Sequence, residues 1–316
     1  MSLLHKSLLA FGLVLASVLA PSGTALAANN SELQTLIRKC EAQNGEACTA
    51  LGALHIVGLG VPLDYSKAAE YYTKGCELQD GSACGSLGTL YANGLGVPLD
   101  YSKAAEYYTK GCELQDGSAC GYLGTLYANG QGVPLDYTKA AKYCTKGCEL
   151  QGGYACGYLG ALYANGQGVP LDYTKAAKYC TKGCELQNGY ACARLGSLYA
   201  MGQGLPLDYA KAAEYYAKGC ELLDGQACRL LGGIYLKGEI VTQDHARAVK
   251  YLTKGCELLD GYACGNLGAL YLTGKGVPRD YSRAIVYITK GCELNDAASC
   301  TALSKLAKIG LGGVAQ

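Results

Sequence analysis

The 316-residue chain has no tryptophan, one phenylalanine, two methionines and three histidines. The phenylalanine is Phe11, so past the N-terminal segment tyrosine is the only aromatic, and the chain has 27 of them. An aromatic vocabulary of one letter points to copied units. Past residue 27 only His55 and His245 remain, too few for a metal centre built on imidazoles. Each stands where other units carry tyrosine (compare Tyr91 and Tyr101), so both are expected to be structural substitutions. Excess charge is missing too. Without Lys6 the 27 basic side chains become 26, against 26 acidic ones. That balance argues against nucleic acid or an acidic membrane surface as partner. No cofactor is expected.

Long apolar runs are confined to one place. Leu8 to Ala20 follows His5 and Lys6, is too short to span a bilayer, and precedes Ala25-Leu26-Ala27, a small-x-small cleavage pattern. This predicts a signal peptide at 1–27 with cleavage after Ala27, and a secreted or periplasmic protein. The first cysteine is Cys40, so lipoprotein anchoring is not expected. With the signal removed, no membrane contact is expected, and the chain reads as a monomer.

What the chain has in abundance is glycine (45) and cysteine (18). Cys40, Cys76, Cys112, Cys148, Cys184, Cys220, Cys256 and Cys292 are spaced by a constant step of 36 residues. A second set, Cys48 through Cys300, keeps the same step. A fixed period of this length is the signature of a solenoid, in which each unit packs on its neighbours. Seven units follow: 45–80, 81–116, 117–152, 153–188, 189–224, 225–260 and 261–296. Residues 28–44 read as an N-terminal capping helix and 297–316 as a C-terminal capping segment.

Each unit reads as two helices. In 81–116, Ala83, Leu87, Leu90 and Tyr91 form an apolar helical stripe. Gly94, Gly96 and Pro98 end that helix, and Asp100 caps the next. Ala104, Tyr107, Tyr108 and Gly111 form the second stripe. Lys103, Glu106, Lys110 and Glu113 lie on its opposite face and are expected to pair with one another in solvent.

Cys76 ends one helix and Cys84 begins the next, across the turn Gln79-Asp80-Gly81. In an oxidising compartment such a pair closes. Eight disulfides are expected: Cys40–Cys48, Cys76–Cys84, Cys112–Cys120, Cys148–Cys156, Cys184–Cys192, Cys220–Cys228, Cys256–Cys264 and Cys292–Cys300. Zinc sites prefer shorter cysteine spacings, so no metal is expected. Cys144 and Cys180 fall outside the pattern. Their counterparts are Tyr72, Tyr108, Tyr216, Leu252 and Ile288, an apolar slot. A ninth bridge between them is the alternative. Equivalent positions on stacked helices sit about 8–10 Å apart, whereas a disulfide wants Cα atoms within about 7 Å, so both read as buried, unpaired thiols.

The unit pattern A-C-x-x-L-G-x-L-Y-x-x-G-x-G-V-P-x-D-Y-x-K-A-A-x-Y-Y-x-K-G-C resembles the Sel1-like repeat, a relative of the tetratricopeptide repeat. With its paired cysteines and its signal, the chain is similar to the Helicobacter cysteine-rich protein family of secreted Sel1-like repeat proteins, from Cys40 to about Leu306. The resemblance implies an all-α fold, a right-handed α/α superhelical solenoid linked by those disulfides. It also implies engagement of host molecules, and β-lactamase or penicillin-binding activity.

The residues supply no mechanism for that chemistry. An activated serine is usually carried by S-x-x-K; the sequence has no S-x-x-K, no S-D-N and no K-T-G, so the catalytic residues are unknown. Units 117–152 and 153–188 differ only at Ser118/Tyr154, Thr125/Ala161 and Gly152/Asn188. Copying of this kind suits a display surface better than a unique catalytic constellation. Variation concentrates at Ser82, Ser86, Thr89, Asn93 and their counterparts, within about 60° on one side of the first helix. In a tetratricopeptide-like superhelix the first helices line a concave groove. That face carries Asn93, Tyr122, Asn129, Tyr154, Tyr158, Asn165, Tyr190, Arg194, Tyr262 and Asn266. Tyrosine and asparagine suit peptide, protein or cell-wall-like ligands. Three readings remain open here: a binding scaffold, a β-lactam hydrolase and an inert spacer.

Overall fold

A computed structural model describes residues 30–238 and 241–308. The proposed signal peptide and its cleavage point, the start of the N-terminal cap and residues 309–316 of the C-terminal cap lie outside the described residues. The described residues form sixteen helices and no strand. They fall into two compact units, one ending at Leu186 and the other beginning at Gln187. Each unit is a tandem α/α repeat.

In the first unit the helices are α1 (Asn30–Glu41), α2 (Gly45–Val57), α3 (Tyr65–Glu77), α4 (Gly81–Tyr91), α5 (Tyr101–Glu113), α6 (Gly117–Asn129), α7 (Tyr137–Glu149), α8 (Gly153–Asn165) and α9 (Tyr173–Glu185). In the second they are α10 (Gly189–Met201), α11 (Tyr209–Glu221), α12 (Gly225–Lys237), α13 (His245–Glu257), α14 (Gly261–Thr273), α15 (Tyr281–Glu293) and α16 (Ala297–Lys308).

Local chemistry sets each boundary. Asp80 accepts from Ala83 N–H at 2.9 Å to start α4, and Asp100 accepts from Ser102 and Lys103 N–H at 3.0 Å to start α5. Such caps contribute about 1 kcal/mol each. After α6, Gly130 takes φ 64° and returns its N–H to Leu126 O. At the end of α3, Asp80 N–H reaches Gly75 O at 3.0 Å, with Gln79 at φ 63°. This is a Schellman ending with glutamine in the left-handed slot where glycine is usual, a conformation that costs a residue with a Cβ about 1–2 kcal/mol.

A disulfide spans that ending. Cys76 and Cys84 are joined with their Cα atoms 4.6 Å apart, and both are buried. In the first unit Cys40–Cys48, Cys112–Cys120 and Cys148–Cys156 do the same; in the second, Cys220–Cys228, Cys256–Cys264 and Cys292–Cys300. Cys184 and Cys192 are also disulfide-bonded. Cys144 and Cys180 are the two cysteines outside disulfides, and both are buried. Bridges of this number belong to an oxidising, extracytoplasmic environment.

The core between the helices is thin. Leu87, Leu90, Ala104, Ala105 and Tyr108 fill it, all buried. Small residues let the helices approach: Gly88 lies against the Tyr108 ring and Gly111 against Ala119. Lys103 behaves differently from the paired-charge expectation. Its ammonium sits 5.3 Å from the Tyr91 ring centroid, and Tyr91 stacks on Tyr107 at 5.5 Å. The same lysine–tyrosine–tyrosine sandwich recurs at Lys139, Tyr127 and Tyr143. A half-exposed ring face attracts a cation by about 0.5–1 kcal/mol, comparable to an exposed ion pair, and here the ring is already fixed by stacking. His55 takes the place of the first tyrosine in its repeat and stacks on Tyr71 at 5.6 Å.

Candidate functional site

In the first unit, the first helices of successive repeats (α2, α4, α6 and α8) pack side by side. A row of rings runs along them. Tyr108 meets Tyr122 at 5.4 Å, Tyr122 meets Tyr154 at 5.0 Å and Tyr154 meets Tyr158 at 5.9 Å, all tilted. Tilted pairs at these separations add about 0.5–1.5 kcal/mol beyond area burial. Tyr108 OH is within 3.0 Å of Thr89 Oγ1, and Tyr154 OH within 3.1 Å of Thr125 Oγ1. Burial drives the Tyr108 hydroxyl far above the usual tyrosine range, and pushes Tyr158 up to about 12. These phenols therefore stay protonated at neutral pH.

Next to the row, α4 and α6 leave an open recess of about 120 Å³. Its polar wall is Ser82, Ser86, Ser118 and Asp116; Ile56, Tyr72 and Tyr122 make the apolar wall. Asp116 Oδ1 caps α6 through Ala119 N–H, while Oδ2 accepts from Ser82 Oγ at 3.1 Å. Burial holds the Asp116 carboxyl above its usual range, Asp80 raises it further, and the hydrogen bonds from Ala119, Ser82 and Ser118 oppose the rise.

The sequence-expected residues are placed as follows. Tyr122, Tyr154 and Tyr158 are half-buried and come together as described. Asn129 and Asn165 end α6 and α8, are exposed, and donate to Gln131 and Gln167 Oε1 at 3.3 Å. α4 stops at Tyr91 with Ala92 as its C-cap, so Asn93 lies just past the helix and donates to Thr89 O at 2.7 Å. α4 is thus two residues shorter than α6.

The second unit has its own set. Tyr190 and Arg194 are half-buried on α10; Tyr262, 57% exposed, and Asn266, also exposed, lie on α14. Arg229, absent from the sequence reading, stands on α12 with its guanidinium carbon 5.4 Å from the Tyr262 ring centroid and its Nε 3.4 Å from Asp260 Oδ1. The signal was present: Arg229 occupies a position that is glycine in four of the other units. Asp116 gave no such signal, because as a helix cap it looks like Asp80 or Asp224.

The Cys144 thiol is not set up as a nucleophile. Burial pushes the Cys144 thiol up to about 12, leaving a negligible thiolate fraction at neutral pH. The hydroxyls of Ser66, Ser102 and Ser197 donate to backbone carbonyls, and that of Ser82 to a carboxylate; none of these contacts is with a lysine amine. Among the described residues no three His, Cys, Asp or Glu side chains are grouped to hold a metal ion. Nor is any described helix long and apolar enough to cross a membrane.

The family model of the Sel1 repeat matches residues 45–80, 81–116, 117–151, 153–188, 189–222, 225–258 and 261–296. Among solved structures, the chain is similar to a Sel1 repeat protein from Oxalobacter formigenes: TM-score 0.60, 24% identity, over 94% of this chain and 85% of that one. It is also similar to a protective antigen of uropathogenic Escherichia coli that displays an SLR fold: TM-score 0.53, 25% identity, over 96% of this chain and 64% of the antigen. Cysteine-rich protein B of Helicobacter pylori is 32% identical over 42% of this chain and 95% of its own, with TM-score 0.36. No curated protein matches the chain.

Proposed function

This chain belongs to the Sel1 repeat family, a scaffold that commonly mediates protein–protein interaction, and from that premise we propose that its first-helix face binds peptide segments of partner proteins outside the cytoplasm. The observation that carries this reading is the tyrosine row Tyr122, Tyr154 and Tyr158 on the first helices, backed by the buried ring of Tyr108. Rings of this kind offer contact area that is already ordered, at low entropy cost on binding. Phenols held in the protonated form both donate and accept, which suits peptide groups. Export is supported by the disulfides and by the Leu8 to Ala20 run with its cleavage pattern.

The repeats themselves supply substitutions compatible with the fold. Tyr154 is serine at Ser118 and Ser82, and Tyr158 is asparagine at Asn266. Peptides selected from a displayed random library on the oxidised protein should bind Tyr154→Ser and Tyr158→Asn variants about tenfold or more weakly. Equal recovery of the same peptides by both variants would place binding elsewhere.

A further inference from the structure

The recess between α4 and α6 exists because three positions are small. Ser82, Ser86 and Ser118 line it. One repeat later the corresponding residues are Ser118, Tyr122 and Tyr154; two repeats later they are Tyr154, Tyr158 and Tyr190. The rings that replace them pack tilted against one another at 5.0 and 5.9 Å. The opening is therefore a property of this stretch of the chain and not of every repeat.

The carboxylate follows the same boundary. The residue equivalent to Asp116 in the next repeat is Gly152, where a Cβ would come within 2.5 Å of Gly117 O. In the next repeat the acid is missing and two of the three small positions carry tyrosine. The charge acting on Asp116 is that of Asp80, of its own sign. The recess thus has an acidic wall with no opposite charge among the influences on Asp116 and would gain from an incoming cation.

The geometry also selects the kind of cation. Asp116 Oδ1 is committed to the α6 cap, leaving Oδ2 as the oxygen that faces Ser82. A guanidinium fork wants both carboxylate oxygens in one plane. An ammonium is compact, carries three donors in a tripod, and is matched by one carboxylate oxygen with two of the hydroxyls that Ser82, Ser86 and Ser118 place around it. Its alkyl stem would lie against Ile56, Tyr72 and Tyr122. A recess of about 120 Å³ suits the end of a side chain rather than a whole ligand.

We propose that this recess is a primary-ammonium pocket, accepting the lysine amine or the free α-amine of a peptide, with Asp116 Oδ2 as the anionic acceptor and two of the serine hydroxyls completing the tripod. The inference rests on the reading of the first-helix face as a peptide-binding surface, and names what that surface selects.

Three probes test it on the oxidised protein, by amide chemical-shift titration: an acetylated alanine pentapeptide with a central lysine, its norleucine counterpart, and an unacetylated alanine pentapeptide. The lysine probe, the free-amine probe or both should shift the amides of Ser82, Ser86 and Ser118; which one does identifies the source of the amine. Norleucine should bind at least about tenfold more weakly. Asp116→Asn keeps the cap, as Asn44 and Asn188 show at the same position, and should cost the amine probes at least about tenfold. Ser118→Tyr places in the recess the ring that Tyr154 supplies one repeat later, and should abolish binding. Norleucine binding equal to lysine, amine binding unchanged in Asp116→Asn, or no shift from either amine probe would overturn the proposal. If selected peptides still depend on Tyr154 while ignoring amines, only this inference fails; if Tyr154 is also irrelevant, the parent reading fails with it.

Discussion

The ring of Tyr108 lies directly on Gly88: a Cβ built on that glycine would come within 2.8 Å of Tyr108 Cδ1. Glycine inside a helix costs up to about 1 kcal/mol relative to alanine, and overpacking a tight contact costs about 1–3 kcal/mol. At this position the second term wins. Gly88→Ala should lower the denaturant midpoint, by a net of about 1 kcal/mol or more.

Gly233, in the middle of α12, provides the opposite case. A Cβ there meets nothing within 4 Å. Only the helix-propensity term remains, so Gly233→Ala should raise stability by up to about 1 kcal/mol. Measured side by side, the two variants separate packing from propensity; the same sign for both would refute the contact geometry.

The disulfides are expected to offset what the glycines and left-handed turn residues cost. Closing a loop as short as that of Cys76–Cys84 stabilises by about 2.5 kcal/mol in the chain-entropy model. Replacing both cysteines by serine should lower the thermal midpoint clearly, whereas Cys144→Ala should perturb packing alone. A thermal midpoint unchanged by loss of the bridge would mean that it constrains nothing.

Thiol titration gives a count. Sixteen of the 18 cysteines are disulfide-bonded, leaving Cys144 and Cys180, both buried. Native protein should react negligibly with a thiol reagent at neutral pH, since the Cys144 thiol is pushed up to about 12. Unfolded, unreduced protein should titrate two thiols, and any other number contradicts the pairing.

Asp116 makes stability depend on pH in a direction unusual for a carboxylate. Its folded-state pKa is raised, chiefly by burial, so the native state holds this proton more tightly than the unfolded chain does. Stability at this site is therefore greatest below the ordinary carboxylate value and is lost as pH rises from there through the raised folded-state value. Asp116→Asn, which mimics the protonated form, should be more stable than the parent near pH ~7. That advantage should shrink as the pH falls toward ~4, where the native aspartate takes up its proton ahead of the unfolded chain, and be gone below ~4. Thermal unfolding of both proteins across that range checks the sign, and an advantage that grows toward acid would contradict it.

Period, hairpins, caps and bridge spacing were legible in the sequence because they are local. Asp80 reaches a backbone N–H three residues away, and Cys76 meets Cys84 eight residues away. Contacts that short survive any arrangement of the repeats around them, so residue order alone determined them. The variation of Tyr122, Tyr154 and Tyr158 was visible too, since it needs only a comparison of units. Tertiary structure decided where those rings stack, that Lys103 covers Tyr91 rather than joining a charge stripe, and that Asn93 turns back on Thr89. It also decided that Asp116, one helix cap among many, shares an opening with Ser82 and Tyr72. Those partners come from different helices, 34 and 44 positions away in the chain. Their distances depend on how closely glycine and alanine let neighbouring helices approach, a quantity that no single repeat contains.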